Sequence, residues 1–441
     1  MGVVHCVDVG STFTKGVAVD LADGALVATA DRRTTLPSGG SGDVMDGVRA
    51  VTAELERASG PATDTLACSS AGGGLRLAVV GYERAVTAEA GYRVGLSAGA
   101  RVVHVAAGPL AAAGVGELRA ARPDVVLLVG GTDGGNADVL LHNAKRLARL
   151  AVPVVLAGNA DARDSAAELV GRRVVACDNV LPRIGVLDPG PARAAIREVF
   201  LRHVIGGKHL SRGREFASLV RGATPDVVLT GVEVLAQAVG DVLVVDVGGA
   251  TTDVYSVITP EGEDATLRKD VVATLWHART VEGDLGMRWN APGIVASGVA
   301  ERLVDAGERA GLESAAARLS GDPGFIPDDG ACGGLDERLA TIAVTVALRR
   351  HGRPAAHSSA ARDLRRVTTV VGSGGVLRHG SDALRRAVLA PAARDHGGGW
   401  RVPSSAASFV DADYVLFAAG LLSAVDPAAA AALVTRGLRR L

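Results

Sequence analysis

One strand–turn–strand pattern occurs twice in this chain, once near its start and once past its midpoint. The copies are residues 7–17, with the sequence VDVGSTFTKGV, and residues 245–255, with the sequence VDVGGATTDVY. In each copy an apolar strand carries an aspartate near its end, and a glycine-containing turn leads into a second apolar strand. Backbone N–H groups at such a turn can surround the phosphates of a nucleotide, and glycine permits a close approach. The pattern therefore predicts two phosphate-binding β-hairpins.

The aspartates of the two copies, Asp8 and Asp246, are candidate ligands of a metal ion. Mg²⁺ prefers oxygen ligands and keeps much of its hydration shell, so we expect each carboxylate to hold it through water. Two such hairpins facing each other would hold one nucleoside triphosphate between two lobes. The pattern is therefore typical of a chain that binds ATP and Mg²⁺.

Composition excludes several other classes of protein. The net charge of −1 creates no field that would recruit nucleic acid. The longest apolar run in the middle, residues 125–129, is far too short to span a membrane, and the N-terminus leads directly into a strand. We expect a soluble, cytoplasmic protein. The cysteines have no C-x-x-C spacing, which favours inert buried thiols over metal ligands or disulfides; they are Cys6, Cys68, Cys177 and Cys332.

The order of predicted elements indicates two lobes, each with an insertion. Continuous apolar strands alternate with helices between about residues 67 and 228, which predicts a parallel sheet covered on both faces. We assign residues 1–240 to the first lobe, including this inserted α/β subdomain. Residues 241–441 form the second lobe, with a smaller insertion at about 263–365. The C-terminal helix is expected to pack back toward the first lobe.

Small residues mark two helices of this arrangement. A strand at residues 226–230 is predicted to lead into a short helix at 231–240, directly before the second hairpin. A second small-residue helix opens within residues 413–420. After it, Asp426 followed by Pro427 is typical of a helix start, and residues 428–441 should continue as a helix whose last arginines suit its dipole.

This order of elements resembles the actin/Hsp70/sugar-kinase ATPase superfamily. Its five parts are a phosphate hairpin, a small-residue helix, a second hairpin, an adenosine-binding loop and a second small-residue helix. In this chain they correspond to the regions around Asp8, Glu233, Asp246, Gly372 and Ala419. The resemblance implies a two-lobed, actin-like (ribonuclease H-like) α/β fold, in which two helices cross closely and the lobes open and close around ATP.

Over most of its length the chain resembles the GlmL/MutL family of glutamate mutase accessory proteins, which is unrelated to the mismatch-repair protein of similar name. The resemblance depends on the stretches DVGSTFTKG, ACSSAGGGLR, LLVGGTDGGN, NVLPRIGVLDPGPAR, VVDVGGATTDVYSV and TVEGDLGMRWNAPGI. It implies an ATP-dependent, chaperone-like factor that releases damaged cobalamin from a coenzyme B12-dependent mutase. The implied partner is glutamate mutase or a related enzyme, and the oligomeric state, including a homodimer, stays open.

The superfamily pattern assigns a role to individual residues. Asp8 and Asp246 would organise Mg²⁺, Glu233 would orient the metal or the attacking water, and Asp253 could act as a water-orienting base. The residues expected to contact phosphate are Gly10, Ser11, Thr12, Lys15, Gly248, Gly249 and Thr251. Those expected to bind adenosine are Gly372, Ser373, Gly374 and Gly375.

Structural alternatives stay open for these residues. The two turns could be ordinary hairpins, Glu233 an acid favoured by a helix N-terminus, and Lys15 a solvated side chain. Asp253 could fix Thr251 instead of acting on water. Glu282 and Asp284 could contact ribose or cap the following helix.

Two glycine-rich loops, at residues 72–74 and 131–135, follow strands of the insertion. They could contact a partner, or they could simply close tight turns between a strand and a helix. No cobalamin signature of the D-x-H-x-x-G type occurs in the sequence, so we do not expect the chain to bind cobalamin itself.

Two other functions are compatible with the same scaffold. A small-molecule kinase would need an acceptor pocket and a general base within reach of the substrate hydroxyl. A cytoskeletal filament would need surfaces that repeat head to tail. Stimulation of ATP turnover by a sugar or carboxylate, by a mutase, or by rising protein concentration would distinguish the kinase, the accessory ATPase and the filament.

Overall fold

The computed structural model describes residues 2–36, 42–71, 75–205, 210–259, 277–325, 331–354, 362–399 and 401–441. The chain divides into two compact units. The first is built mainly from Met1–Leu21 and Val27–Leu229, and the second mainly from Thr230–Thr259 and Arg279–Leu441, with Ala22–Leu26. Glycines 72–74 of the first predicted glycine-rich loop lie outside the described residues.

The strands, in chain order, are β1 Val3–Val9, β2 Phe13–Asp20, β3 Ala25–Arg33, β4 Asp64–Ser69, β5 Arg76–Gly81, β6 Arg101–Ala107, β7 Val125–Leu128, β8 Val154–Leu156, β9 Val174–Ala176, β10 Val220–Ala223, β11 Val242–Val247, β12 Thr252–Val257, β13 His277–Glu282, β14 Thr369–Ser373, β15 Ala407–Val410 and β16 Arg439–Arg440.

The α-helices, in chain order, are α1 Val44–Ser59, α2 Glu89–Ser97, α3 Ala112–Ala120, α4 Asp138–Leu147, α5 Arg163–Val170, α6 Gly190–Val199, α7 Glu215–Leu219, α8 Thr224–Val239, α9 Ala291–Ala300, α10 Arg309–Gly321, α11 Ala331–Gly352, α12 Gly375–His379, α13 Asp382–Ala393, α14 Val415–Leu422 and α15 Pro427–Gly437. None of the helices in the described ranges is long and apolar enough to cross a membrane.

Two of the sheets repeat the same strand order. The first sheet has the order β3-β2-β1-β4-β10. The second, read in the same direction, has the order β13-β12-β11-β14-β15, with β16 added at its edge. In each, the leading strand pairs antiparallel with the next strand of its hairpin and parallel with a later strand, β4 or β14. The repeated sequence pattern therefore corresponds to a repeated sheet, and the predicted actin-like α/β fold class is confirmed.

The third sheet has the order β6-β5-β7-β8-β9, and each of these neighbouring strand pairs is parallel. Its strands come between β4 and β10 in the chain, in the region where the sequence predicts an insertion. All four residues of β7 are buried, as expected for a parallel sheet with helices on both faces. The limits proposed for the two lobes and their insertions stay predictions.

Two local predictions are wrong. Residues 226–230 are not a strand, because α8 begins at Thr224; Pro225 in the first helical turn and the acidic Asp226 beside it are helix-start signals that outweigh the apolar run after them. The C-terminal helix also ends earlier than predicted, at Gly437. Arg439 and Arg440 instead pair antiparallel with β15, so they do not lie in a helix.

The predicted start of the C-terminal helix is confirmed, since Asp426 accepts a hydrogen bond from the Ala429 N–H at 2.9 Å.

The close crossing of the two small-residue helices is confirmed within the second unit. A Cβ atom added to Gly231 of α8 would lie 1.9 Å from the Leu416 carbonyl oxygen and 3.3 Å from the Gly420 nitrogen of α14. The helices therefore contact backbone to backbone at a point where only glycine fits.

A buried histidine connects three elements of the second unit. His351 of α11 is fully buried, and its ring nitrogens lie 2.9 Å from the Ser256 hydroxyl of β12 and 3.0 Å from the Thr280 hydroxyl of β13. Burial lowers the pKa of His351 well below its ordinary value, so the ring stays neutral in the folded protein.

This burial makes stability depend on pH. The unfolded chain takes up a proton at His351 near pH 6.5, whereas the folded chain does so only at lower pH. The contribution of the neutral His351 ring to the free energy of unfolding is therefore complete above the pKa of the unfolded chain. It is lost on acidification below that pKa, by about 1.4 kcal/mol per pH unit. We expect the difference in free energy of unfolding between the wild type and His351→Asn to narrow from neutral pH to about pH 5.5 in urea titrations. A difference that stays constant would contradict this expectation.

Candidate functional site

The two predicted phosphate turns have the same backbone geometry. The Gly10 N–H donates to the Phe13 carbonyl oxygen at 3.1 Å, and the Gly248 N–H donates to the Thr251 carbonyl oxygen at 2.9 Å. A Cβ atom at Gly10 or Gly248 would lie 2.8 or 2.9 Å from the same oxygen that its N–H contacts. Glycine is therefore required at the first position of both turns.

The carbonyl groups of the first turn are held by Thr34, directly after β3. Its backbone N–H donates to the Thr12 carbonyl oxygen and its hydroxyl to the Gly10 carbonyl oxygen, both at 2.9 Å. Carbonyl oxygens repel an anion, whereas backbone N–H groups attract it. Holding these carbonyls within the protein is the arrangement that an anion-binding turn needs. No sequence pattern indicates this role of Thr34.

The second turn is held in the same way by residues 286–290. The Met287 N–H donates to the Gly248 carbonyl oxygen at 3.0 Å. The Arg288 and Trp289 N–H groups donate to the Gly249 carbonyl oxygen at 2.8 and 3.0 Å. Asn290 Nδ2 donates to the Ala250 carbonyl oxygen at 2.8 Å. A Cβ atom at Gly286 would lie 2.3 Å from the Ala250 backbone. The stretch had drawn attention through the family resemblance, but its contact with this turn was not predicted.

Asp8 is a buried carboxylate with defined hydrogen-bond donors. Only 3% of it is exposed, and its Oδ1 atom accepts from the Thr224 hydroxyl at 2.5 Å and from the Cys68 thiol at 3.5 Å. Burial and the nearby charge of Asp8 raise the pKa of Cys68 well above its ordinary value, so the thiol keeps its proton and can donate it. Lys15 lies opposite Asp8 in the register of the hairpin, on the outgoing strand as predicted.

Asp246 lies at the equivalent place in the second hairpin and is half-buried. In the sheet register it lies between Asp253 on β12 and Ser373 on β14. Ser373 is 2% exposed, and its hydroxyl has no hydrogen-bond partner in the part of the chain that the structure describes. A buried hydroxyl without a partner is costly unless a ligand or water satisfies it, so Ser373 stays a candidate ligand contact.

Both carboxylate oxygens of Asp253 have partners. Oδ2 accepts from the Thr251 hydroxyl at 2.9 Å, and Oδ1 accepts from Arg279 Nη2 at 2.8 Å. Burial is the largest influence and by itself lowers the pKa of Arg279, but the charges of Asp253 and Tyr255 and the hydrogen bonds to them together outweigh it, so the pKa lies above its ordinary value. The geometry therefore favours the alternative in which Asp253 fixes Thr251. Arg279 was not predicted, because a single arginine in a strand has no distinguishing pattern.

The glycines of the predicted adenosine loop serve different purposes. Gly374 has a φ of +91°, and a Cβ atom there would lie 2.2 Å from the Val247 carbonyl oxygen, so the loop packs on the end of β11. A Cβ atom at Gly372 would lie 2.8 Å from both Leu377 and Leu389, which explains this glycine by core packing. Gly375 has open space around its Cα atom and begins α12.

The purely structural interpretations considered for three acidic residues are wrong. Glu233 lies well inside α8 and is half-buried, so the interpretation as a helix N-terminal acid is wrong. Glu282 and Asp284 do not cap α9, whose cap position is Asn290. Instead they form ion pairs with Arg350, at 2.8 and 2.7 Å.

The glycine-rich loop after β7 is held by hydrogen bonds from two asparagines that come later in the chain. Asn179 Nδ2 donates to the Gly131 carbonyl oxygen at 3.0 Å and to Asp133 Oδ1 at 2.8 Å, and Asn159 Nδ2 donates to the Gly135 carbonyl oxygen at 2.8 Å. Gly131 has a φ of +71°. These contacts favour the tight-turn alternative for residues 131–135.

Three solved structures to which this chain is similar are distant from it. The nucleotide-free acetone carboxylase has a TM-score of 0.40 at 14% identity, over 96% of this chain and 70% of that one. The activator of 2-hydroxyisocaproyl-CoA dehydratase from Clostridium difficile, with bound ADPNP, has a TM-score of 0.31 at 13% identity, over 99% and 97%. Gluconate kinase from Lactobacillus acidophilus has a TM-score of 0.35 at 11% identity, over 100% and 93%. At such low similarity no conclusion about activity follows.

Comparison at the level of sequence is more specific. The family model described as MutL protein matches residues 4–438. Protein MutL of Clostridium tetanomorphum is 33% identical over 449 residues, which cover 94% of this chain and 95% of that protein. The match includes both hairpins, the insertion between β4 and β10, and the segment 286–290 that holds the second turn. The chain therefore belongs to the MutL protein family.

Proposed function

We propose that this protein is an Mg-ATP-dependent accessory ATPase that remodels a coenzyme B12-dependent mutase and releases damaged cobalamin from it. One observation carries the ATPase part. The same glycine turn occurs twice, each time two residues after an aspartate and each time with its carbonyls held by another segment. Membership of the MutL family supports the accessory role and the choice of glutamate mutase, or a related mutase, as the partner.

The residues available for Mg²⁺ fit that ion. Asp8 of the first unit and Asp246 of the second each provide hard carboxylate oxygens, and Mg²⁺ bound to carboxylates keeps several of its waters. Because Thr224 and Cys68 both donate to the same Asp8 oxygen, that carboxylate has a fixed orientation. Bound Mg²⁺ would neutralise charge on the phosphate oxygens.

The remaining roles belong to residues of the turns and of the loop after β14. Backbone N–H groups of the turns would bind phosphate oxygens, aided by the hydroxyls of Ser11, Thr12 and Thr251 and the ammonium group of Lys15. The backbone around Gly372, Ser373, Gly374 and Gly375 would bind adenosine. Glu233 would orient the attacking water, while Asp253, held by Arg279, keeps the Thr251 hydroxyl in place.

Coupling to a partner requires that the nucleotide states bind that partner differently, because a ligand shifts an equilibrium only by its differential affinity. We propose that the mutase binds one nucleotide state more tightly and that hydrolysis returns the protein to the other. The proposed setting is the cytoplasm, without nucleic acid or membrane, and the oligomeric state stays open.

The function is tested by release of cyanocobalamin from glutamate mutase inactivated with that analogue. The mutase is mixed with this protein and Mg-ATP, filtered, and the absorbance of free cobalamin is read in the filtrate. We expect release with Mg-ATP and none when Mg²⁺ is omitted or when Asp246→Asn replaces the wild type. ATP turnover without release would contradict the proposed partner, and stimulation by sugars or carboxylates instead of a mutase would indicate a kinase.

A further inference from the structure

We propose that Thr224 and Asp226 are positioning residues that couple Asp8 to helix α6 of the insertion, the part of the chain between β4 and β10. Nucleotide bound beside Asp8 and the position of the insertion would then affect one another. This coupling, which rests on the nucleotide binding proposed above, uses residues of the first unit alone.

The first connection is between the start of α8 and Asp8. Thr224 is the first residue of α8 and follows β10 directly. Its hydroxyl donates to Asp8 Oδ1 at 2.5 Å, and only 8% of Thr224 and 3% of Asp8 are exposed. A buried hydrogen bond to a carboxylate is among the stronger ones. The orientation of Asp8 therefore depends on where α8 begins.

The second connection is between Asp226 and α6. Arg193 Nη2 lies 3.2 Å from Asp226 Oδ1, and Arg197 contacts Oδ2 through Nε at 2.7 Å and Nη2 at 2.6 Å. The two arginines are four residues apart, so they lie on one face of α6. The Asp226 side chain is only 2% exposed. Removal of its charge would weaken the contacts of both arginines with this nearly buried carboxylate.

A second segment of the insertion contacts Asp226 independently. Gly99, after α2, has a φ of +73°, and a Cβ atom there would lie 2.6 Å from the Asp226 backbone nitrogen. The start of α8 is thus in contact with two segments of the insertion that are far apart in sequence, the end of α2 and helix α6. A shift of Asp226 would therefore disturb its contacts with both segments.

Helix α6 is packed into the apolar core of the first unit, so a movement of Asp226 can be transmitted through it. Ile196 of α6, Leu127 of β7 and Val9 of β1 all belong to one buried apolar cluster. Well-packed cores move as bodies because their side chains interdigitate at high density. A change at the start of α8 would therefore be transmitted to α6 and its packing neighbours, and by linkage a ligand that binds there would change nucleotide affinity by the same factor as nucleotide changes its own.

The test is amide hydrogen exchange of the full chain with and without Mg-AMPPNP, a non-hydrolysable ATP analogue. In the wild type we expect the analogue to change exchange both at residues 10–12 and in α6. In Asp226→Asn the change in α6 should disappear and affinity for the analogue should fall about tenfold, within the usual range of coupling between sites. Glu198→Gln is the matched control, because Glu198 lies on α6 and forms an exposed pair with Arg202. That variant should behave like the wild type.

Thr224→Val keeps the proposal testable if Asp226→Asn fails to fold. We expect it to raise the Mg²⁺ concentration needed for half-maximal analogue binding about tenfold and to remove the change in α6. Thr224→Ser, which restores the hydroxyl, should restore both. A merely structural role of Thr224 would lower the stability of the Thr224→Val variant but leave the response of α6 to the analogue.

Two results would overturn the coupling. One is a change in α6 that persists in Asp226→Asn or Thr224→Val, and the other is a wild type that responds at residues 10–12 but not in α6. A wild type that responds at neither place and binds no analogue would instead overturn the proposed function, and the coupling with it.

Discussion

Replacement of Asp246 by asparagine is expected to lower Mg-ATP hydrolysis at least about 100-fold, as does loss of a group that stabilises charge in other active sites. The substitution removes the charge that we propose holds Mg²⁺ and keeps nearly the same shape. Asp246 is half-buried, so its strand should fold without the charge. Phosphate release at saturating ATP, measured over a range of Mg²⁺ concentrations, is the direct measurement.

Asp8→Asn should cause a loss of similar size. The new side-chain oxygen can still accept the hydrogen bond from Thr224, so the fold around it should persist. Asp20→Asn is the matched control, because Asp20 lies in the same hairpin but pairs with Val3 at the opposite end. Circular dichroism establishes that all three variants are folded. Turnover near that of the wild type in either test variant would show that its carboxylate does not hold the metal.

The hairpins were predictable from sequence because their signal is local. An apolar strand, an aspartate, a glycine turn and a second strand are all contained within residues 7–17 and again within 245–255. The parallel sheet of the insertion was predictable for a similar reason, since its fully buried strands are short continuous apolar runs. The start of α8 was missed although its signal is also local: Thr224, Pro225 and Asp226 stand directly before the run that suggested a strand.

The contacts that complete the two turns could not be predicted in this way. Thr34 lies beyond the hairpin that it holds, and residues 286–290 come well after theirs along the chain. The same is true of Arg279 and Asp253, and of Thr224 and Asp8. Each of these pairs is brought together by the tertiary fold, and neither partner has a sequence pattern that identifies the other.

Gly231→Ala is expected to destabilise the second unit strongly. The new methyl group would lie 1.9 Å from the Leu416 carbonyl oxygen, so α8 and α14 would have to separate. Overpacking of this kind costs about 3 kcal/mol. Alanine is favoured over glycine in a helix by about 1 kcal/mol, so a net loss of about 2 kcal/mol should remain.

Gly311→Ala is the matched control for this crossing. Gly311 also lies in a helix of the second unit, α10, but a Cβ atom there would meet no atom within 4 Å. The same substitution should therefore be stabilising, by about 0.5–1 kcal/mol, because only the helix preference acts. Urea unfolding of the two variants beside the wild type isolates the helix crossing, since the chemical change is identical. If Gly231→Ala were as stable as Gly311→Ala, the two helices could not be in backbone contact at Gly231.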